Sequence, residues 1–316
     1  MRKAIIITFL SLLAPLCLLS FSACGRKAPL RPEVIVKPER VENLKAIHDE
    51  RGLTLSWSYP ERRKIEIKGF VTLKSEGREF VRIGYVEGKG TSFSYIDNAI
   101  KTDATYRYRV IAENTKGIMG EAAEIQVSPS PLPEAPRKIR FSIKEDSIEL
   151  SWDNRKACYR IYRAYEGEEY RLLNQKPVCN GFYIDRVSTE RPVHYRIRSI
   201  VITDIVNEGP ASEEITVKLE DYIPLAPTDL RIVIGDNRVF LLWKESPEVW
   251  VRGYRIFRKV EAERDFKTIG ESSIPAFIDS NLEGLENKRI FYMIKALGPA
   301  TESDPIYGDM IYIISR

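Results

Sequence analysis

The sequence predicts an all-β protein made of three tandem β-sandwiches, and three observations carry that prediction. One strand pattern occurs three times, in the same order, along the 316 residues, and self-similarity at a fixed period marks an array of like units. Short runs alternate apolar and polar residues, whereas no long segment places apolar residues at helical spacing. The composition, with 16 Tyr and 12 Phe but only four Met, suits pleated, half-buried surfaces.

The chain starts with a basic Met1-Arg2-Lys3, followed by an uncharged apolar run to Phe21 and the small residues Ser22 and Ala23 before Cys24. That order defines a secretory signal, and Pro15 near the middle of the run argues against a membrane-spanning helix. Ser22-Ala23-Cys24 resembles the lipobox of bacterial lipoproteins, with Phe21 where that family usually has Leu. The resemblance implies that residues 1–23 are a signal peptide cut off before Cys24, and that Cys24 carries the acyl chains. Two or more chains anchor a protein stably where one does not. Cys24-Gly25-Arg26-Lys27-Ala28-Pro29-Leu30 also resembles the start of a group of small outer-membrane-associated lipoproteins, one of which assists the lipopolysaccharide translocon. By that resemblance the protein belongs in the bacterial cell envelope, as an outer-membrane lipoprotein facing the periplasm or the cell surface. Residues 24–40, with Pro29, Pro32 and Pro38, form the tether.

The repeat begins with Leu53-x-Leu55-x-Trp57, matched by Ile148-x-Leu150-x-Trp152 and Val239-x-Leu241-x-Trp243. Apolar alternation toward a Trp describes a strand with one buried face, so the three Trp residues are expected in the cores. The next strand recurs around Gly69-Phe70-Val71, Cys158-Tyr159-Arg160-Ile161-Tyr162 and Gly253-Tyr254-Arg255-Ile256-Phe257. Tyr95-Ile96-Asp97, Tyr183-Ile184-Asp185 and Phe277-Ile278-Asp279 follow, and then the strands starting at Tyr106, Tyr195 and Phe291. These residues resemble the fibronectin type III family of Ig-like sandwiches, with Leu-x-Trp as strand B and Tyr-x-Tyr-Arg-Val as strand F. Tyr106 then falls at the tyrosine corner of the fold. Val193 and Ile290 hold that place in the other copies, so the corner hydrogen bond is expected only once. The three units are assigned to residues 41–128, 135–219 and 225–316. Proline-rich segments separate them at 129–136 and 221–227. Proline fixes φ, so the linkers are expected to be stiff and extended and the array to be a rod of three beads. Trp250, in a Pro-Glu-Val-Trp loop, is expected to be partly exposed.

The formal net charge of +4, part of it from Arg2 and Lys3 in the signal, is no nucleic-acid signature. The two histidines, His48 and His194, lie in different repeats, and no nucleophile elbow, zincin motif or phosphate loop occurs. The chain is therefore read as non-enzymatic, with no catalytic residue, cofactor or metal. Asp97, Asp185 and Asp279 recur at one position and are read as turn-forming residues rather than calcium ligands, because calcium takes six to eight oxygens and no Asp-x-Asp-x-Asp run surrounds them.

Strand parity turns Arg107 and Arg109, Arg160 and Tyr162, Arg196 and Arg198, and Arg255 outward. Guanidinium and aromatic groups on one face suggest a binding surface for an anionic polysaccharide or an envelope protein. Arginine stems lying over neighbouring strands are the competing reading. Cys158 and Cys179, found only in the second copy, are either bridged or two thiols. The function expected from these features is that of a lipid-anchored binding or scaffold protein mediating protein or polysaccharide contacts. The alternatives are an accessory factor in outer-membrane assembly and a glycan-binding accessory module.

Overall fold

The computed structural model describes residues 36–60, 65–153, 157–187, 191–235 and 237–314. The signal, Cys24 and the start of the tether lie outside these residues. The regular secondary structure of the described residues is all strand, apart from one turn of 3-10 helix at Leu219–Asp221. The first sandwich contains β1 (Glu42–Asp49), β2 (Gly52–Ser58), β3 (Ile67–Ser75), β4 (Val81–Glu87), β5 (Ser92–Asp97), β6 (Tyr106–Asn114) and β7 (Ala123–Val127). A β1-β2-β5 sheet faces a β4-β3-β6-β7 sheet, the three-on-four arrangement of a fibronectin type III-like sandwich.

The second sandwich repeats this plan. β8 (Arg140–Ile143), β9 (Ile148–Ser151) and β12 (Phe182–Asp185) form one sheet. β10 (Cys158–Tyr165), β11 (Arg171–Leu172), β13 (Val193–Ile202), β14 (Val206–Ala211) and β15 (Ile215–Val217) form the other. In the third, β16 (Thr228–Gly235), β17 (Arg238–Lys244) and β20 (Ala276–Asp279) face the sheet of β18 (Gly253–Val260), β19 (Lys267–Ser272), β21 (Arg289–Leu297), β22 (Ile306–Tyr307) and β23 (Ile311–Tyr312).

Alternation along β2, along β9 and one residue past it, and along β17 sends Trp57, Trp152 and Trp243 inward, where all three are buried. Each indole meets the first aromatic of the following strand edge-on: Phe70 at 5.6 Å, Tyr159 at 5.2 Å and Tyr254 at 5.0 Å. At the corner, the Tyr106 hydroxyl accepts the Lys101 N–H at 2.8 Å. Glycine is required where an aromatic of one sheet crosses the edge strand of the other. The Tyr95 ring lies over Gly84 and the Phe277 ring over Gly270, and a Cβ there would come within 2.1 and 2.6 Å of the rings.

The aspartates at the end of β5, β12 and β20 do more than shape turns. Asp97 and Asp279 do accept the N–H two residues on, from Ala99 at 3.0 Å and Asn281 at 3.2 Å. All three also accept a buried tyrosine hydroxyl: Tyr108 to Asp97 and Tyr195 to Asp185 at 2.7 Å, and Tyr292 to Asp279 at 2.8 Å. Each further pairs with a cation from the third strand of its sandwich: Lys74 at 2.9 Å, Arg163 at 2.9 Å and Arg258 at 2.6 Å.

The units are not beads on extended spacers. β14 pairs in parallel with β1, with Ile47 opposite Val206 and His48 opposite Asn207, so one sheet runs through the first two sandwiches. Ile205, 5% exposed, belongs to the core of the first sandwich. The linker is pinned as well, through the Ser130 N–H donated to Asn207 Oδ1 at 2.9 Å. At the second junction Trp250 is only 7% exposed and belongs to the core of the second sandwich. Its Nε1–H donates to the Lys144 carbonyl at 3.2 Å, and its ring packs edge-on against Tyr222 of the linker at 5.4 Å. The expected exposure of Trp250 is thus wrong, because the neighbouring sandwich and the linker cover it.

Candidate interaction site

The residues assigned to a binding face fall in three places, one per sandwich. On the first, Arg107 and Arg109 lie over the Phe80 ring, 5.0 and 3.9 Å from its centroid. Arg109 Nε donates to Glu124 at 2.7 Å, and Arg107 Nη2 donates to the Gly77 carbonyl at 2.5 Å. On the third, Arg255 Nε donates to Glu271 at 2.8 Å, and its Nη1 bonds Glu302.

The second sandwich is different, because its face continues into the first. Antiparallel pairing of β10 with β13 puts Arg160 opposite Arg198 and Tyr162 opposite Arg196. Like charges directly across strands repel, and carboxylates from other elements intervene. Glu208 of β14 takes Arg160 at 3.1 Å and the Tyr162 hydroxyl at 2.5 Å. Glu50, from the β1–β2 turn of the first sandwich, holds Arg198 through two bonds of 2.7 and 2.9 Å. Glu214 takes Arg196 at 2.8 Å and the Tyr170 hydroxyl at 2.5 Å, while the Arg196 guanidinium stacks 4.4 Å from the Tyr170 ring. Every guanidinium named in the sequence reading is engaged by a carboxylate or carbonyl of the chain. The outward face is an ion-paired one and offers an anionic polymer no unengaged guanidinium among these residues.

Tyr162, Tyr170, Arg196, Arg198 and Glu208, with Asp49 and Arg51, line a cleft of about 240 Å³ at the junction. Burial pushes the Asp49 carboxyl up, but bonds from the Arg51 side chain and backbone outweigh it and hold the group below the usual carboxylate range. The Arg198 fork does the same for Glu50. Burial and the bond to Glu214 push the Tyr170 phenol up to about 12, and burial with the bond to Glu208 raises Tyr162 further. Asp49 and Glu50 are therefore ionised at neutral pH, and the Tyr162 and Tyr170 phenols are not. His194 lies at its margin, 3.0 Å from the Thr216 hydroxyl and 3.3 Å from Glu214. Among the described residues, no group of three or more His, Cys, Asp or Glu is placed to hold a metal.

Cys158 and Cys179 are joined in a disulfide, with Cα atoms 4.0 Å apart. Val178 pairs with Tyr159 as an isolated antiparallel bridge, which brings Cys179 beside β10 before the chain crosses to β12.

Sequence reasoning missed the residues that make the junction: Ile205, Asn207, Glu208, Glu50 and His48. The Asn207 amide oxygen accepts from Ser130 N–H and lies 3.0 Å from His48 Nδ1, which therefore is the donor. Asn207 and His48 are both buried. The one available signal was Ile205 in the loop after β13, apolar where a solvated turn would be polar.

No family model matches the chain. It is 23% identical over 201 residues to the fibronectin type-III domain-containing protein 3a of Gallus gallus, covering 61% of this chain and 16% of that protein. It is 25% identical over 269 residues to the receptor-type tyrosine-protein phosphatase F of Homo sapiens, covering 75% of this chain and 14% of that one. The chain thus spans about a sixth or less of these relatives. A crystal structure of the chicken CNTN1 FN1-FN3 domains aligns with 88% of this chain and 99% of its own, at 18% identity and a TM-score of 0.29.

Proposed function

We propose that this chain is a lipid-anchored, non-enzymatic binding and scaffold protein of the bacterial cell envelope. Its fibronectin type III-like sandwiches suit a binding or scaffold module, and the observation that carries the reading is how they are joined. Both junctions bury apolar side chains and backbone hydrogen bonds, so the chain's cohesion goes into fixing the spacing of three units rather than into shaping a deep pocket. Acyl chains on Cys24 supply the membrane attachment, and the proline-bearing tether sets the first sandwich off the bilayer. An envelope protein is the partner that best suits the ion-paired faces, with an anionic polysaccharide as the second reading. An accessory role in outer-membrane assembly, suggested by Cys24-Gly25-Arg26-Lys27-Ala28-Pro29-Leu30, is a narrower form of the same reading.

Fractionation and cross-linking of intact envelopes test this. Wild-type protein is expected in the membrane with a mass showing acylated Cys24, and Cys24→Ser in the soluble fraction or unprocessed. Cross-linked partners identified by mass separate a β-barrel machine from other envelope proteins, and retention on insoluble glycan marks the polysaccharide reading. An unmodified Cys24 in wild type would sink the anchor.

A further inference from the structure

Each sandwich has a lower end, formed by the turn between its first two strands, and an upper end, formed by the loops after its second and sixth strands. In the first sandwich the lower end is filled by Ile205, from the loop between β13 and β14 of the second. In the second, the lower end takes Trp250, from the loop between β17 and β18 of the third, beside Phe141 and Ile143. The third repeats the geometry, and no described residue fills it. Ile234 stands opposite Val239 as His48 stands opposite Leu53 and Ile143 opposite Ile148. Yet Ile234 is 49% exposed. With Leu282, Tyr312, Ile313 and Ile314 it lines an open groove of about 760 Å³.

Of the three upper ends, two are spent inside the chain. The remaining one, on the first sandwich, presents Met119, 43% exposed, in the loop between β6 and β7. That loop corresponds to the one that delivers Ile205 in the second sandwich. We propose that the groove receives the upper end of the first sandwich of a second copy of this chain, so that copies join head to tail. A like contact has formed twice within each chain: an apolar side chain from an upper loop, Ile205 from the one after the sixth strand and Trp250 from the one after the second, enters the lower end of the preceding sandwich. A tether of residues 24–38 reaches at most about 50 Å, enough to hold the first sandwich's upper end clear of a bilayer. A head-to-tail contact joins two different surfaces, so it propagates into a ring or an open chain of copies.

Sedimentation velocity of the full chain in mild detergent, over a wide range of protein concentration, tests the proposal with Ile234→Asp and Met119→Asp. Wild type is expected to form concentration-dependent multimers and each variant alone to be monomeric. An equimolar mixture of the two is expected to give dimers and nothing larger, because one variant keeps a working upper end and the other a working lower end. Recovery of dimers in the mixture also shows that both variants are folded. A wild type monomeric at every concentration overturns the proposal. So does a Met119→Asp variant that still dimerises, which would place two lower ends together, or association unchanged in both variants.

Discussion

Asp97 shows how much a single side chain holds at one corner of a sandwich. It binds the Lys74 ammonium, the Tyr108 hydroxyl and the Ala99 N–H, and it is buried together with Lys74 and Tyr108. Asp97→Ala leaves the buried Lys74 ammonium without its buried counter-charge, with only the Ala99 carbonyl at 2.6 Å as hydrogen-bond acceptor, and the Tyr108 hydroxyl without its acceptor, and removing one partner of such a pair costs about 3–5 kcal/mol. Tyr108→Phe removes one hydrogen bond to a charged group and is expected to cost about 1.5–3 kcal/mol. A urea midpoint lowered at constant slope measures both. Burial pushes the Asp97 carboxyl up, but the bonds from Lys74, Tyr108 and Ala99 outweigh it and leave the group below its usual range. A depressed folded-state pKa gives stability that is complete above the unfolded value of about 4 and is lost as pH falls through the folded one. The gap in stability between wild type and Asp97→Asn should therefore shrink as pH falls below 4; a gap that stays constant would count against an ionised Asp97.

Strands were the most legible level of this chain, because each needs only local alternation and one bounding turn. Leu53-x-Leu55-x-Trp57 and its two copies state which face is buried without reference to anything distant. Contacts that depend on register between remote segments were not legible. Parity turned Arg160 and Arg198 outward correctly, but nothing near them says that Glu208 and Glu50 will meet them there. Trp250 read as exposed because its proline-containing loop looks solvated; Tyr222, which covers it, is 28 positions earlier. The glycines of the edge strands were equally silent. Gly84→Ala would drive a methyl into the Tyr95 ring, whose hydroxyl is tied to the Ile83 carbonyl at 2.6 Å, so the ring is not free to swing away. Overpacking of this kind costs about 1–3 kcal/mol, and thermal unfolding of that variant reads it. For the disulfide, Cys158→Ser with Cys179→Ser opens a loop whose ends are 21 residues apart, worth about 3 kcal/mol on the chain-entropy account. Denaturant unfolding of the double variant against wild type measures the loss, and equal midpoints would mean that the β10 edge is held without the bridge.

At the scale of the whole molecule, the junction between the first two sandwiches determines how the chain unfolds. Its parts come from three segments: His48 and Glu50 from the first sandwich, Ser130 from the linker, and Arg198, Ile205 and Asn207 from the second. A shared sheet and an Ile205 buried in the first core mean that neither sandwich can lose its fold without exposing part of the other. The two are expected to melt as one calorimetric transition at neutral pH. Asn207→Ala tests this directly, since it leaves the Ser130 N–H and His48 Nδ1–H buried without their acceptor, at about 1–3 kcal/mol for each orphaned group. Neither sandwich loses a core side chain, so the cost falls on the junction and the transition should split in two. Acid should act in the same direction. The Arg198 fork holds the Glu50 carboxyl below its usual range, so the pair is intact above about pH 4.5 and fails as pH falls through the folded value. Wild-type protein scanned at falling pH should approach the split profile of Asn207→Ala at neutral pH. A single transition in that variant, with an unmoved midpoint, would show that the sandwiches are coupled by something other than this junction.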